Sequence, residues 1–108
     1  MPPSRGDVYY VNLQGVGMKL GAVVSWDSIN RGMRQPIIAR ITRRERERSL
    51  PTYVELQPGE GGVRETSYVL CHELLTLRED DFTERLGILP LGRLLQVEAA
   101  LKRALDLG

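Results

Sequence analysis

The chain has 108 residues, of which 42% are apolar and 27% charged, proportions typical of a soluble globular protein. Its one cysteine, Cys71, excludes an internal disulfide and any zinc site built from several cysteines. The length predicts a single domain over residues 1–108, and no apolar stretch is long enough to cross a membrane. Residues 1–6 lack the apolar core of a signal peptide, so we expect a cytoplasmic protein.

The net charge of +1 is distributed unevenly along the chain. Residues 1–30 are neutral, and residues 49–108 hold six basic against ten acidic residues. Residues 31–48, in contrast, hold seven arginines against Glu45 and Glu47. This basic segment predicts either a surface that binds a polyanion or a solvated loop in which arginines pair with glutamates.

The first half of the chain predicts three strands with short connections. Strands are predicted over residues 7–13, 20–26 and 37–42. These runs are rich in β-branched and aromatic residues or show apolar and polar residues in alternation. The glycine-rich residues 15–19 predict a tight connection, and the polar residues 27–35 predict a loop. Trp26 is expected to be partly buried. Residues 43–50 predict a charged loop, because Pro51 would end any helical turn there.

The second half predicts shorter strands and a closing helix. Strands are expected over residues 52–56 and 67–71, with a sixth short strand over residues 74–77. The sequence P-G-E-G-G at residues 58–62 predicts a turn. The acidic pair before Phe82 predicts a helix start at residues 80–82, because acids are favoured at helix N-termini.

An amphipathic helix is predicted after Pro90, which suits the first turn of a helix. Apolar residues recur there at helical spacing: Leu94, Val97, Leu101 and Leu105. Such a stripe is typical of a helix that covers one face of a sheet. Five or six short strands and a terminal helix together predict a small, strongly bent antiparallel sheet or barrel.

The residues available for chemistry favour phosphate binding without a metal. His72 and Cys71 are adjacent in a predicted strand, so their side chains point to opposite faces and do not make a metal site or a nucleophile pair. Thr42 ends a predicted strand and is followed by Arg43 and Arg44. Arginine forks and a threonine hydroxyl can both donate to phosphate oxygens. This set suits cleavage of RNA, whose 2′-hydroxyl supplies the nucleophile.

Several short motifs follow one another along the chain: R-G-D-V-Y at residues 5–9, V-V-S at residues 23–25, I-T at residues 41–42, L-P-T-Y-V-E-L at residues 50–56 and S-Y-V-L at residues 67–70. In this order they resemble the MazF/PemK toxins of type II toxin–antitoxin systems. The resemblance runs from about residue 5 to residue 107.

The resemblance implies a mainly β fold with helices, an SH3-like small barrel with a C-terminal amphipathic helix. It implies a homodimer and a sequence-specific endoribonuclease that uses no metal or other cofactor. Such a toxin cleaves single-stranded RNA, usually mRNA, by attack of the 2′-OH, leaving a 2′,3′-cyclic phosphate and a 5′-OH. A cognate MazE-like antitoxin is implied as its partner.

The resemblance also implies the site residues. Thr42 falls on the family's catalytic hydroxyl position, and Lys19 stands where the family has its catalytic arginine. The connection around Lys19, residues 14–21, is shorter than in the family. Residues implied to contact RNA, or to supply charge from the third strand, are Arg40, Arg43, Arg44, His72 and Glu73.

Three interpretations of the lysine remain open at this point. Lys19 replaces the arginine in a working enzyme, or Arg40 or Arg43 supplies the missing charge. Alternatively, the chain is impaired in cleavage and is a module that binds RNA or an antitoxin. A gyrase-poisoning relative on the same fold is a further possibility, but residues 104–108 lack the Trp-Gly type of ending expected for that class.

Overall fold

The computed structural model describes residues 2–43 and 50–108. The strands are β1 (Asp7–Leu13), β2 (Gly17–Val23), β3 (Ile37–Thr42), β4 (Tyr53–Leu56), β5 (Ser67–Thr76) and β6 (Phe82–Ile88). The α-helices are α1 (Asp27–Gly32) and α2 (Leu91–Ala104), and 3₁₀ turns cover Glu60–Gly62 and Glu79–Asp81. The predicted mainly β fold with a C-terminal helix is confirmed.

The six strands form an antiparallel sheet in the order β4-β5-β3-β2-β1-β6. The edge strands β4 and β6 do not pair in the part of the chain that the structure describes, so the barrel is open along this seam. The Glu60–Gly62 turn packs against β6 there. A Cβ on Gly62, which has φ +83°, would lie 2.5 Å from the Leu86 carbonyl oxygen, so glycine is required for this close approach.

The strands turn alternate side chains toward two faces of the sheet. The inner face packs against α2 and holds the main core, which includes Val8, Ala22, Ala39, Ile41, Val54, Leu56, Val69 and Cys71 with Val97 and Ala100 of α2. The opposite, outer face holds a smaller cluster of Val11, Leu13, Val23 and Ile38 beneath Tyr9, Leu77 and Phe82. The rings of Tyr9 and Phe82 meet edge to face, with centroids 5.2 Å apart.

β1 and β3 lie where the sequence predicts them, and β4 begins one residue later, at Tyr53. β2 differs, because it runs from Gly17 to Val23 instead of residues 20–26. Its pairing with β1 extends to Leu13↔Gly17, so backbone hydrogen bonds hold a glycine-containing segment that has little strand propensity of its own. The connection is therefore only residues 14–16. It is shorter than the connection predicted over residues 15–19 and than the 14–21 span compared with the family, so both of those bounds are wrong.

β5 is a continuous strand of ten residues, and the prediction of two separate strands at 67–71 and 74–77 is wrong. β3 pairs with it as Arg40↔Leu70 and then Ala39↔Leu74, which leaves residues 71–73 without partners on β3. A bulge of this kind bends a strand locally. It places His72 and Glu73 at the bend.

The expected loop at residues 27–35 contains the short helix α1. The buried side chain of Asn30 organises this segment, because its Nδ2 donates to the Ser25 carbonyl oxygen at 3.1 Å and to Asp27 Oδ1 at 3.2 Å. This helix depends on polar contacts and so shows no apolar periodicity. Trp26, expected to be partly buried, is 69% exposed at its start.

The prediction that a helix starts at residues 80–82 is also wrong. The acids there form one 3₁₀ turn, capped by Asp81 Oδ2 accepting from the Arg78 N–H at 3.0 Å, and β6 follows at once. β6 is an edge strand that pairs with β1 through its backbone, while residues 83–85 are exposed. Its side chains therefore carry little of the alternation that would have predicted a strand.

The terminal helix follows Pro90 as predicted, and Val97 and Ala100 are buried beneath it. Leu105 is 54% exposed, because the helix ends at Ala104, one residue before the last position of the predicted stripe. Among the helices in the described ranges, none is long and apolar enough to span a membrane. In the predicted charged loop, residues 44–49 lie outside the described residues.

Candidate active site

Lys19 and Thr42 lie on neighbouring strands of the sheet. β2 pairs with β3 in a register that includes Gly21↔Arg40 and Leu20↔Ile41. This register ends at Leu20↔Ile41, and Lys19 and Thr42 are the next residues on the two strands. Because side chains alternate along a strand, both lie on the face opposite Leu20 and Ile41, which is the outer face. Each is half-buried there.

Arg40 lies on the same face, two residues before Thr42 along β3. Its position is opposite Gly21, which has no side chain to crowd it. A Cβ on Gly21 would lie 2.8 Å from Ile38 Cδ1, so the glycine also lets Ile38 pack. Arg40 Nη1 is 3.5 Å from Glu73 Oε1, and its buried Nε has no hydrogen-bond partner among the described residues.

A cleft of about 610 Å³ adjoins Arg40. The β1–β2 hairpin and the bent half of β5 line most of it, with Asn12, Leu13, Gln14, Val16, Arg40, residues 72–78 and Asp81 at its walls. Two further residues predicted to contact RNA, His72 and Glu73, therefore share one cleft with Arg40.

The His72 ring is held in place by Thr52 and Tyr53, at the start of β4. It stacks on the Tyr53 ring with centroids 5.5 Å apart and an interplanar angle of 18°. Its Nδ1 is 3.0 Å from Thr52 Oγ1, and its Nε2 is 3.8 Å from Glu73 Oε2. Sequence reasoning missed Thr52 and Tyr53, because only the three-dimensional pairing of β4 with β5 brings them beside His72.

Arg43 is separated from this group. It lines a different cleft together with the inner-face residues Tyr10 and Leu20. Its Nη1 donates to Glu65 Oε2 at 3.1 Å, and both side chains are about two-thirds exposed (65% and 63%). Arg44, the remaining predicted RNA-binding residue, lies outside the described residues.

Cys71 directly precedes His72 in β5 but lies on the inner side of the sheet. It is fully buried in the inner core, and burial raises the pKa of its thiol to about 12. A thiol with such a pKa remains protonated at neutral pH and is a poor nucleophile. Residues 2–43 and 50–108 also contain no group of three His, Cys, Asp or Glu side chains placed to hold a metal ion.

Lys19, Thr42 and Arg40 therefore carry an ammonium, a hydroxyl and a guanidinium on the same, outer face of the sheet. All three can donate hydrogen bonds, and two carry positive charge. Such a group can bind the oxygens of a phosphodiester and stabilise extra negative charge on them. In the adjoining cleft, the Glu73 carboxylate and the His72 imidazole can contact other parts of the same ligand.

Comparison with known proteins identifies the family to which the sequence is similar. Residues 4–105 match the family described as PemK-like, MazF-like toxin of type II toxin-antitoxin system. Endoribonuclease EndoA of Bacillus subtilis (strain 168) is 29% identical over 109 residues, covering 95% of this chain and 94% of the relative.

Solved structures give the same result. An endoribonuclease from a mycobacterial species, in complex with its cognate antitoxin, is 30% identical, with a TM-score of 0.86 over 98% of this chain and 97% of that one. MazE-MazF from Deinococcus radiodurans has a TM-score of 0.81 over 100% and 99% of the two chains. At 23% identity, the latter similarity shows the shared fold.

Proposed function

Because this chain belongs to the PemK-like, MazF-like toxin family of type II toxin–antitoxin systems, we propose that it is an endoribonuclease that cleaves single-stranded RNA, mRNA above all, without a metal. The observation that carries this proposal is that Lys19, Thr42 and Arg40 share the outer face at the end of the β2–β3 pairing. They supply hydrogen-bond donors and positive charge for the oxygens of a phosphodiester.

In the proposed reaction the RNA supplies its own nucleophile. The 2′-oxygen forms a bond to phosphorus as the bond from phosphorus to the 5′-oxygen breaks, giving a 2′,3′-cyclic phosphate and a 5′-OH. The 2′-OH loses one proton, and the leaving oxygen gains one. Lys19 and Arg40 neutralise the charge that builds on the non-bridging oxygens, and the Thr42 hydroxyl donates to one of them.

The remaining site residues position the RNA. Glu73 and His72 line the cleft beside Arg40, where a carboxylate can accept from base amino groups and a ring can stack on a base. Arg43 and Arg44 directly follow Thr42 in sequence and supply charge to the RNA backbone. Binding should therefore weaken as salt concentration rises.

We also propose a single domain, a homodimer and a cognate MazE-like antitoxin as partner. The family match spans residues 4–105, and a similar structure at 30% identity is a complex with an antitoxin. Large apolar side chains such as Trp26 (69%) and Leu91 (71%) are exposed and are suited to burial in a protein interface. An mRNA substrate and a free cysteine are consistent with the cytoplasm.

Cleavage of a long single-stranded RNA in EDTA tests this function. Wild-type protein should cut at a recurrent short sequence, leaving 5′-OH ends that a kinase can label directly and 3′ ends that carry the cyclic phosphate. The Lys19→Ala/Thr42→Ala double variant, prepared in parallel, controls for contaminating ribonuclease. Intact RNA with wild type, or equal cleavage by the double variant, would overturn the proposal.

A second candidate function is an RNA- or antitoxin-binding module that does not cut. It is favoured by the short hairpin, residues 14–16, and by lysine at the arginine position. Lysine neutralises phosphate as a point charge but lacks the two-pronged donor geometry of arginine. Salt-sensitive RNA binding with intact product in the same assay would favour this candidate.

A further inference from the structure

Tyr68 lies next to the candidate catalytic hydroxyl on the outer face of the sheet. The register of β3 and β5 pairs Thr42 directly with Tyr68. Directly opposed residues of an antiparallel pair share a face, with Cβ atoms about 4.5–5.5 Å apart. The next residue of β5, Val69, is buried in the inner core, whereas Tyr68 is half-buried. The Tyr68 ring is thus beside Thr42, and the active-site proposal does not use it.

A carboxylate lies on the far side of Tyr68. The register of β4 and β5 pairs Tyr68 with Glu55, which is exposed and accepts a hydrogen bond from Gln57 Nε2. The row thus runs from the Thr42 hydroxyl through the Tyr68 ring to the Glu55 carboxylate, across two strand spacings or about 10 Å. Because a carboxylate repels phosphate, a nucleotide that lies over this row should place its base, and not its backbone, on the ring.

On the other side of the candidate site the outer face is apolar. Lys19 is paired on β1 with Val11, and Val11 is paired in turn with Phe82 of β6. Val11 is fully buried, and the Phe82 ring already packs edge to face against the Tyr9 ring. The aromatic ring that adjoins the candidate catalytic residues directly is therefore that of Tyr68, on the β5 side.

We infer that Tyr68 binds the RNA by stacking on one base that flanks the cleaved bond. The inference rests on the proposed ribonuclease function and gives Tyr68 a part in substrate binding, with no step in the reaction. Because every base has a π-face, a stacking contact of this kind accepts any base and contributes affinity. The choice of sequence is left to polar residues such as those of the cleft beside Arg40.

Short RNAs that lack the base at a single position test the inference. The proteins are wild type, Tyr68→Leu, Tyr68→Phe and the matched control Tyr10→Leu, which changes a half-buried tyrosine on the inner face. Single-turnover cleavage in EDTA over a range of protein concentrations gives both the affinity and the maximal rate. For wild type, removal of the base at one position next to the cut should weaken binding about fivefold or more, as expected for one stacked base.

Tyr68→Leu should bind the intact RNA about fivefold or more weakly than wild type, and it should lose no further affinity when that one base is absent. Its maximal rate should stay close to that of wild type, because the ring does not touch the reacting atoms. Tyr68→Phe keeps the ring and Tyr10→Leu keeps Tyr68, so both should respond to base removal as wild type does.

Equal losses on base removal in Tyr68→Leu and wild type at every position would overturn the inference, as would a Tyr68→Phe that binds as weakly as Tyr68→Leu. A wild type that binds RNA without cutting it would contradict the proposed function instead, and the same comparison is then made on binding alone. A wild type that does not bind RNA would contradict both. Equal thermal unfolding temperatures exclude a folding defect, and Tyr68→Met replaces Tyr68→Leu if the latter is unstable.

Discussion

Neighbouring residues of β3 serve different parts of the molecule. Ile41 faces the inner core and is 4% exposed, whereas Arg40 and Thr42 lie half-buried on the outer face. On β2, in the same way, Leu20 packs against the core and Lys19 lies on the outer face. Because a strand alternates its side chains, one short segment supplies both the core and the candidate active site.

It follows that the face of a residue, more than its distance along the chain, decides the effect of a substitution. Inner-face changes should lower the free energy of unfolding, and outer-face changes should lower RNA cleavage in a protein that remains folded.

Thr42→Val on the outer face should reduce the cleavage rate about 10²–10³-fold, the usual effect of losing one donor to a developing negative charge. Valine keeps the shape of threonine, so the urea unfolding midpoint should change little. Thr42→Ser retains the hydroxyl and should keep most of the activity. If Thr42→Val cleaved RNA at the wild-type rate, Thr42 would have no catalytic role.

Ile41→Ala, one residue away on the inner face, should lower the free energy of unfolding by about 2–4 kcal/mol, because it leaves a cavity in the core. Urea unfolding followed by circular dichroism measures this loss. Below the unfolding transition, the remaining folded protein should still cleave RNA. A variant with wild-type stability and no cleavage would place Ile41 in the active site instead.

Arg40→Gln and Arg43→Gln remove the same charge from two different places. Arg40 lies beside Thr42, so its loss should slow cleavage about 10²-fold. Arg43 pairs with Glu65 at an exposed position, so its loss should weaken RNA binding several-fold and leave the maximal rate nearly unchanged. Single-turnover cleavage over a range of protein concentrations separates rate from affinity, and the opposite order of effects would contradict this assignment.

Glu60→Gln tests the contact between Glu60 and Arg93, which links the Glu60–Gly62 turn to α2. The Gln57 N–H, at 2.8 Å, is the main cause that lowers the pKa of Glu60, and Arg93 Nε at 2.9 Å adds to it. A carboxyl whose pKa is lowered by folding stabilises the fold above its unfolded pKa, and this contribution is lost as pH falls through the folded value.

The thermal unfolding temperature of Glu60→Gln should therefore be slightly lower than that of wild type at pH 7. The gap should close as the pH falls below the ordinary glutamate range, about 4.3. Asp80→Asn, which changes an exposed acid, should show a smaller difference in unfolding temperature at pH 7. If the difference in unfolding temperature between Glu60→Gln and wild type persisted at acidic pH, the Glu60 charge would not be what stabilises the fold.

The sequence predicted the parts of the fold in which side chains carry the signal. β1, β3 and α2 show clear alternation or helical spacing, and they lie where expected. β6 and the start of β2 are held mainly by backbone pairing with β1, which leaves little trace in side-chain type. α1 is organised by Asn30 and its polar partners, so apolar periodicity could not reveal it.

The candidate site was predicted as a set of residues but not as an arrangement. Lys19 came from the family resemblance, and Thr42 came both from its place at the end of a predicted strand and from the resemblance. Their positions relative to each other depend on the β2–β3 register, which the sequence does not specify. Likewise, Arg43 pairs with Glu65, which lies 22 residues further along the chain. Contacts of this kind depend on tertiary structure and require coordinates.

The central claim, that Lys19 acts beside Thr42 in RNA cleavage, is tested most directly at Lys19 itself. The cleavage rate of one RNA in EDTA should fall about 10²-fold or more in Lys19→Ala. It should be retained or increased in Lys19→Arg, whose guanidinium can bond two phosphate oxygens at once. Wild-type cleavage by Lys19→Ala would contradict the account.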